Sequence, residues 1–167
     1  PCLPDDPAAM IEIARSVTVS IATGERLFTR WGFRELIESR TIGVFQPDLC
    51  HSGGIFEARK IAAMAEVNYA HLAPHNPLGP ISLAACIQLD CCTPNFLVQE
   101  HPGHESGRDL GVGYLKNPFR IENGYIKRPT APGLGIEVDV ELIKERMYPG
   151  DWDTPHLSYD DGAFAEW

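Results

Sequence analysis

Val44-Phe45-Gln46-Pro47-Asp48 is a short apolar run that ends in an ionisable residue. Three further runs repeat its form: Ser20-Ile21-Ala22-Thr23-Gly24-Glu25, His71-Leu72-Ala73-Pro74-His75 and Phe96-Leu97-Val98-Gln99-Glu100. The terminal residues Glu25, Asp48, His75 and Glu100 follow one another at intervals of 23, 27 and 25. One strand, one return helix and two short loops need about that many residues. A repeated strand–helix unit builds a parallel sheet, and (β/α) barrels carry their catalytic groups at the C-terminal ends of the strands. The spacing therefore predicts an α/β fold, a partial (β/α) TIM-type barrel, with Glu25, Asp48, His75 and Glu100 on one rim.

Between those runs the pattern is helical. Residues 5–15 read as a helix with Pro7 in its first turn and Ile11 and Ala14 on one face. Further helices are expected over 30–38, with Trp31, Phe33, Leu36 and Ile37, over 55–67 and over 81–89. Strands are expected over 17–23, 43–47, 69–73 and 96–99. Residues 101–124 are rich in Gly, Pro and charge and hold no sustained period. Tyr125-Ile126 and Ile136-Glu137-Val138 are short strand candidates around the turn Pro132-Gly133-Leu134-Gly135, and 140–147 reads as a short helix. The aromatic tail, with Trp152, Tyr159 and Trp167, is expected to pack on something rather than to be disordered. Two parts follow: residues 1–100 as the C-terminal part of a barrel, and 101–167 as a closing segment and tail.

At 167 residues the chain holds four or five such units, whereas a complete eight-unit barrel needs roughly 250 residues. With an opening at Pro1 rather than Met, the expectation is the C-terminal part of a longer chain. The inner apolar faces of the early helices are then expected to be exposed for want of neighbours. A formal charge of −9 argues against nucleic acid and anionic membrane as partners. It leaves room for an anionic small molecule, because a bound divalent cation inverts the local field. No apolar run approaches the roughly 18 residues of a membrane span, and no signal peptide opens the sequence. Cys2, Cys50, Cys86, Cys91 and Cys92 lack zinc-site spacing and favour a reducing, cytoplasmic compartment. Cys86, Cys91 and Cys92 are read as small buried residues of an apolar helix.

The rim residues carry the chemistry. Glu25 is either an oxygen ligand for a hard cation such as Mg²⁺ or a salt-bridge partner of Arg26. Asp48 and His75 end successive strands about 4.8 Å apart, so carboxylate and imidazole can meet. That contact makes either a general base of fixed tautomer or a structural hydrogen bond. Glu100 is either a carboxyl whose pKa is raised to donate toward an oxyanion, or a surface loop residue. His51 with Ser52-Gly53-Gly54 marks a turn that can reach a ligand. His71 reads as packed mid-strand, and His101 and His104 as loop residues with some chance of substrate contact; His156 lies in the tail.

The run Gly24-Glu25-Arg26, then Gln46-Pro47-Asp48-Leu49-Cys50-His51-Ser52-Gly53-Gly54-Ile55, then Lys60-Ile61-Ala62-Ala63-Met64-Ala65-Glu66, resembles the enolase superfamily, mandelate racemase subgroup. Ala73-Pro74-His75-Asn76-Pro77-Leu78-Gly79-Pro80 with Gln99-Glu100 and Pro132-Gly133-Leu134-Gly135-Ile136-Glu137-Val138 narrows the resemblance to the D-galactonate dehydratase family. That resemblance implies Glu25 as the third of three acidic Mg²⁺ ligands and His75 as a catalytic histidine. It implies Asp48 as the aspartate that raises the basicity of His75, and Glu100 as the acid that stabilises the enolate. The implied reaction removes the proton α to a sugar-acid carboxylate and loses the β-hydroxyl as water. The product is a 2-keto-3-deoxy acid. The other two ligands, a second catalytic histidine and a capping domain are implied to lie upstream of Pro1, and the complete protein to be a homo-oligomer acting on an aldonate. The rival readings are another acid-sugar dehydratase or racemase of the superfamily, and a non-catalytic fragment with a relict site.

Overall fold

The computed structural model describes Cys2 and residues 6–103, 105–147, 150, 157–163 and 165. Helix α1 (Pro7–Ser16) starts where Asp6 Oδ1 accepts the Ala9 N–H at 2.9 Å, with Pro7 at the first helical position, where no N–H is needed. Strand β1 (Ala22–Thr23), helix α2 (Thr29–Ser39), strand β2 (Val44–Phe45), the single turn α3 (Leu49–Ser52), helix α4 (Gly54–Glu66), strand β3 (His71–Leu72) and helix α5 (Pro80–Asp90) follow in turn. The alternation of short β-rich runs with helices is what the sequence spacing demands.

Strands β1, β2 and β3 form one sheet in that order, all parallel. Side chains alternate between the faces of a strand, and here they form two rows. Thr23, Phe45 and Leu72 stand opposite one another and are buried, whereas Ala22, Val44 and His71 make the row on the open face. Helix α2 meets the buried row with Phe33, Leu36 and Ile37, and α4 brings Ala58, Ile61, Ala62 and Ala65. Both sets recur at three- and four-residue steps, so each falls on one helical face. Phe33 packs edge-on to Phe45, with ring centroids 6.1 Å apart. The inner helix faces are thus covered, contrary to expectation; the side left open belongs to the sheet.

Several elements differ from the sequence reading. Of residues 17–23 only Ala22–Thr23 is strand. Phe96–Gln99 is not a strand: Leu72 donates to Asn95 O and Leu97 donates back to Leu72 O, both at 2.8 Å, and Phe96 makes one parallel bridge to Leu72. Leu97 and Val98 are exposed, so their flank of this run is uncovered among the described residues. An antiparallel hairpin, β4 (Ile121–Glu122) with β5 (Tyr125–Ile126), includes one strand that the reading missed. Its turn is Asn123-Gly124, both at positive φ, the pairing that a tight hairpin favours. Ile136–Val138 contributes one bridge, from Val138 to Leu115, before helix α6 (Val140–Glu145), which Asp139 caps through Leu142 N–H. His71 is exposed rather than packed, because it stands in the open row. Of the three cysteines read as buried, only Cys86 is; Cys91 and Cys92 lie past the end of α5 and are exposed. Tyr159 is exposed, while Trp152, Trp167, His104 and His156 lie outside the described residues. No described helix is long and apolar enough to cross a membrane.

Two groups of α5, the buried Cys86 and the partly buried Asp90, give measurable consequences. Burial pushes the Cys86 thiol up to about 12, with the carboxylates of Asp90 and Asp48 adding to the effect. A thiol-alkylating reagent at pH 8 is therefore expected to modify Cys91 and Cys92 quickly and Cys86 only on unfolding. Burial also pushes the Asp90 carboxyl up to about 8, and its Oδ1 has no hydrogen-bond partner among the described residues. Above the ordinary aspartate value of about 3.9 the unfolded chain ionises this group while the folded chain keeps its proton. Stability attributable to Asp90 therefore falls as pH climbs from about 4 to about 8 and levels off beyond. Asp90→Asn, which mimics the neutral acid, is expected to flatten that part of a Tm-against-pH curve. Parallel curves for the two proteins would contradict it.

Candidate active site

Asp48 is fully buried and does two jobs from one carboxylate. Oδ1 accepts the N–H groups of Cys50 at 2.7 Å and His51 at 3.3 Å, capping α3. Oδ2 lies 3.1 Å from His75 Nδ1. The backbone brings the pair together: His75 N–H donates to Pro47 O at 3.2 Å, and Asp48 and His75 form a parallel bridge just past β2 and β3. Pro47 and Pro74, both buried, fix φ immediately before each of these side chains. A carboxylate only accepts, so Nδ1 carries the imidazole proton and Nε2 is left as the free lone pair.

His75 Nε2 faces Glu100, whose Oε2 is 3.8 Å away. The same oxygen accepts the Asn76 N–H at 3.2 Å. Gln99 stitches the segment down by donating to the carbonyls of Pro74 and Glu100. Glu25, His75 and Glu100 share a cleft of about 250 Å³ with Thr23, Gln46 and Met10 among its walls. Three of the four rim residues thus face one space, and Asp48 lies buried behind His75.

Glu25 is aimed by its neighbour Gly24, which adopts φ +141°. A Cβ at Gly24 would sit 2.7 Å from the buried Phe33 ring and 3.0 Å from Gln46 N, so only glycine lets the chain pass here. Glu25 Oε2 accepts the Gly24 N–H at 3.2 Å. His51, read as a possible ligand contact, is instead turned to the Glu25 carbonyl, 3.2 Å from its Nδ1, and packs against Phe28. Among the described residues no group of three or more His, Cys, Asp or Glu side chains comes close enough to hold a metal ion. Glu25 offers hard oxygen donors on the cleft, which fits one ligand of Mg²⁺ but not a complete site.

The sequence reading missed Thr23, Gln46 and Asn76. Thr23 ends β1 and Gln46 follows β2, and both line the cleft; the register places them on opposite strand faces, so no single period marks the pair. Nothing local marks Asn76, whose fully buried side chain has both polar atoms without a partner in the described structure.

Comparison with known proteins identifies the family of the chain. The family described as enolase C-terminal domain-like matches residues 1–142. D-galactonate dehydratase of Ralstonia pickettii (strain 12J) is 41% identical over 173 residues, covering 100% of this chain and 45% of that protein. D-galactonate dehydratase of Variovorax paradoxus (strain S110) is 42% identical over 93% of the chain and 42% of its own length. Among solved structures, the mandelate racemase/muconate lactonizing enzyme from Sulfitobacter sp. superposes with a TM-score of 0.81 at 41% identity, over 90% of this chain and 37% of that one. The chain therefore spans a little under half the length of the curated relatives it matches. With parallel strands, a shared rim and a family match over most of its residues, the chain belongs to the enolase C-terminal domain-like family.

Proposed function

We propose that this chain supplies the C-terminal part of the active site of a Mg²⁺-dependent hydro-lyase that dehydrates a sugar acid, with D-galactonate as substrate and 2-dehydro-3-deoxy-D-galactonate as product. The observation that carries the reading is the arrangement of His75. Its Nδ1 is held by buried Asp48 at 3.1 Å and its Nε2 is presented to Glu100 at 3.8 Å, with Glu25 on the same cleft. The curated relatives named D-galactonate dehydratase support the substrate class. Residues 1–100 are read as consecutive strand–helix units of a (β/α) barrel, its interior row being Ala22, Val44 and His71. Residues 101–167 are read as the closing segment and tail. The complete enzyme is proposed to be a cytoplasmic homo-oligomer.

His75 transfers a proton at the substrate through Nε2, while Asp48 fixes the ring and favours the imidazolium that forms. Glu100, in its protonated form, donates toward the oxygen on which charge develops after the α-proton leaves. The proton that His75 Nε2 takes from the α-carbon is handed to the β-hydroxyl, which leaves as water, and the resulting enol tautomerises to the 2-keto acid. Glu25 would be one ligand of Mg²⁺, and the ion, when bound, supplies positive charge to the substrate carboxylate. The remaining ligands would come from outside this sequence.

In the complete enzyme, His75→Asn is expected to abolish formation of the 2-keto product while leaving metal binding intact. Asp48→Asn is expected to cost less. General acid–base assistance is worth roughly 10²–10⁴-fold, so a loss below about tenfold for His75→Asn would demote the pair to a structural role. Glu25→Gln should abolish activity by loosening Mg²⁺. The 167-residue chain alone should bind Mg²⁺ no better than about millimolar by calorimetry, since a lone carboxylate repays little of this ion's dehydration. The likeness to mandelate racemase/muconate lactonizing enzymes favours one second reading, a racemase of the superfamily. Loss of optical rotation without appearance of ketone would select it.

A further inference from the structure

Just beyond Glu100 the chain makes a second histidine–aspartate contact that the chemistry above does not use. His101 Nδ1 lies 2.9 Å from Asp109 Oδ2, and the Gly103 N–H reaches the same oxygen at 3.1 Å. The Asp109 side chain is 1% exposed, and its Oδ1 is buried without a partner among the described residues. A buried carboxylate with so few donors depends on each of them. Burial alone would push the Asp109 carboxyl up. The hydrogen bond from His101, those from the N–H groups of Asp109 itself and Gly103, and the proximity of the imidazole outweigh it and hold the group below the usual range. Asp109 is therefore an acceptor at neutral pH, and His101 Nδ1 carries a proton. The Gly103 N–H also approaches His101 Nδ1 at 3.1 Å. A protonated Nδ1 cannot accept it, so that N–H belongs to Asp109.

The two ends of this contact are held differently. Asp109 sits in a wound loop in which Leu110 and Val112 donate to Gly107 O and Leu115 donates to Gly111 O. Leu115 is buried and bridged to Val138. Before His101 the backbone is held by the Leu97 N–H on Leu72 O and by the Gln99 side chain on the carbonyls of Pro74 and Glu100, whereas the Glu100 side chain itself is less held. Leu97 and Val98 are exposed, the Glu100 side chain is 44% exposed, and the hydrogen bond described for its carboxylate comes from the Asn76 N–H. We propose that the His101–Asp109 pair is a positioning device. It fastens the chain where it leaves Glu100, and so keeps the Glu100 carboxylate between the Asn76 N–H and His75 Nε2. Its consequence for turnover rests on the reading of Glu100 given above; its consequence for the position of Glu100 does not.

The test uses three variants of the complete enzyme: His101→Leu and Asp109→Asn, which break the contact, and His101→Asn, whose side-chain N–H can replace Nδ1–H. Two quantities are read, the steady-state parameters on the aldonate and amide hydrogen exchange at Asn76 by mass spectrometry. His101→Leu and Asp109→Asn are expected to lower kcat about tenfold or more with KM within about twofold, the signature of a displaced group rather than of lost binding. Exchange at Asn76 should quicken about tenfold or more in the same two variants, with the rest of the chain unchanged. His101→Asn should restore both. Unchanged Asn76 exchange in His101→Leu would overturn the proposal, as would faster exchange spread over the whole chain, which would make the pair a stability element only. If the wild-type enzyme dehydrates no aldonate, the functional reading fails, and the Asn76 measurement still decides the positioning role.

Discussion

The Asp48 carboxylate, sealed from solvent and satisfied from two directions, is the constraint on which the site depends. A buried charge is tolerated only where hydrogen bonds replace its water. Here the first turn of α3 supplies two N–H groups and the His75 ring supplies the third donor. Because the same group caps a helix and orients an imidazole, the path after β2 and the rotamer after β3 are coupled. The parallel bridge between Asp48 and His75 makes that coupling stiff. Moving either residue leaves a buried acceptor short of a donor, at a cost of about 1–3 kcal/mol.

From that point the rest of the rim follows. The sheet places Glu25, Asp48 and His75 past the ends of three parallel strands, and the residue before each sets the local backbone path. Pro47 and Pro74 restrict φ, whereas Gly24 supplies a positive φ and the absence of a Cβ. The helices bury the Thr23–Phe45–Leu72 side of the sheet, so the scaffold beneath the rim is rigid. Glu57 adds a stitch between helices: its carboxylate accepts the Arg30 N–H at the start of α2 and lies beside the Arg30 and Lys60 side chains. The Arg30 N–H contact leads in holding the Glu57 carboxyl below its ordinary range.

Glu100 contrasts with the other three. It follows a run that is bonded along one side to β3, and its carboxylate is only half shielded. The functional reading assigns Asp48 the role of orienting His75 and Glu100 that of a donor toward the developing oxyanion. The open row of the sheet and the exposed Leu97 and Val98 are the surfaces left uncovered beside this site among the described residues.

Read alone, the sequence carried the strand–helix rhythm, because apolar runs and helical faces are local patterns that burial enforces. It also carried the identity of the four rim residues, since each ends such a run, and the Asn123-Gly124 hairpin was legible though unread. Tertiary structure decided what depends on neighbours. Which face of each strand is covered turned His71 outward. The end of α5 left Cys91 and Cys92 in solvent while burying Cys86. The same carboxylate of Asp48 proved to serve both a helix cap and a histidine, a double use that no spacing encodes. His101 found Asp109 eight residues on through a loop without periodicity, where the partner is fixed only by how the chain winds back on itself.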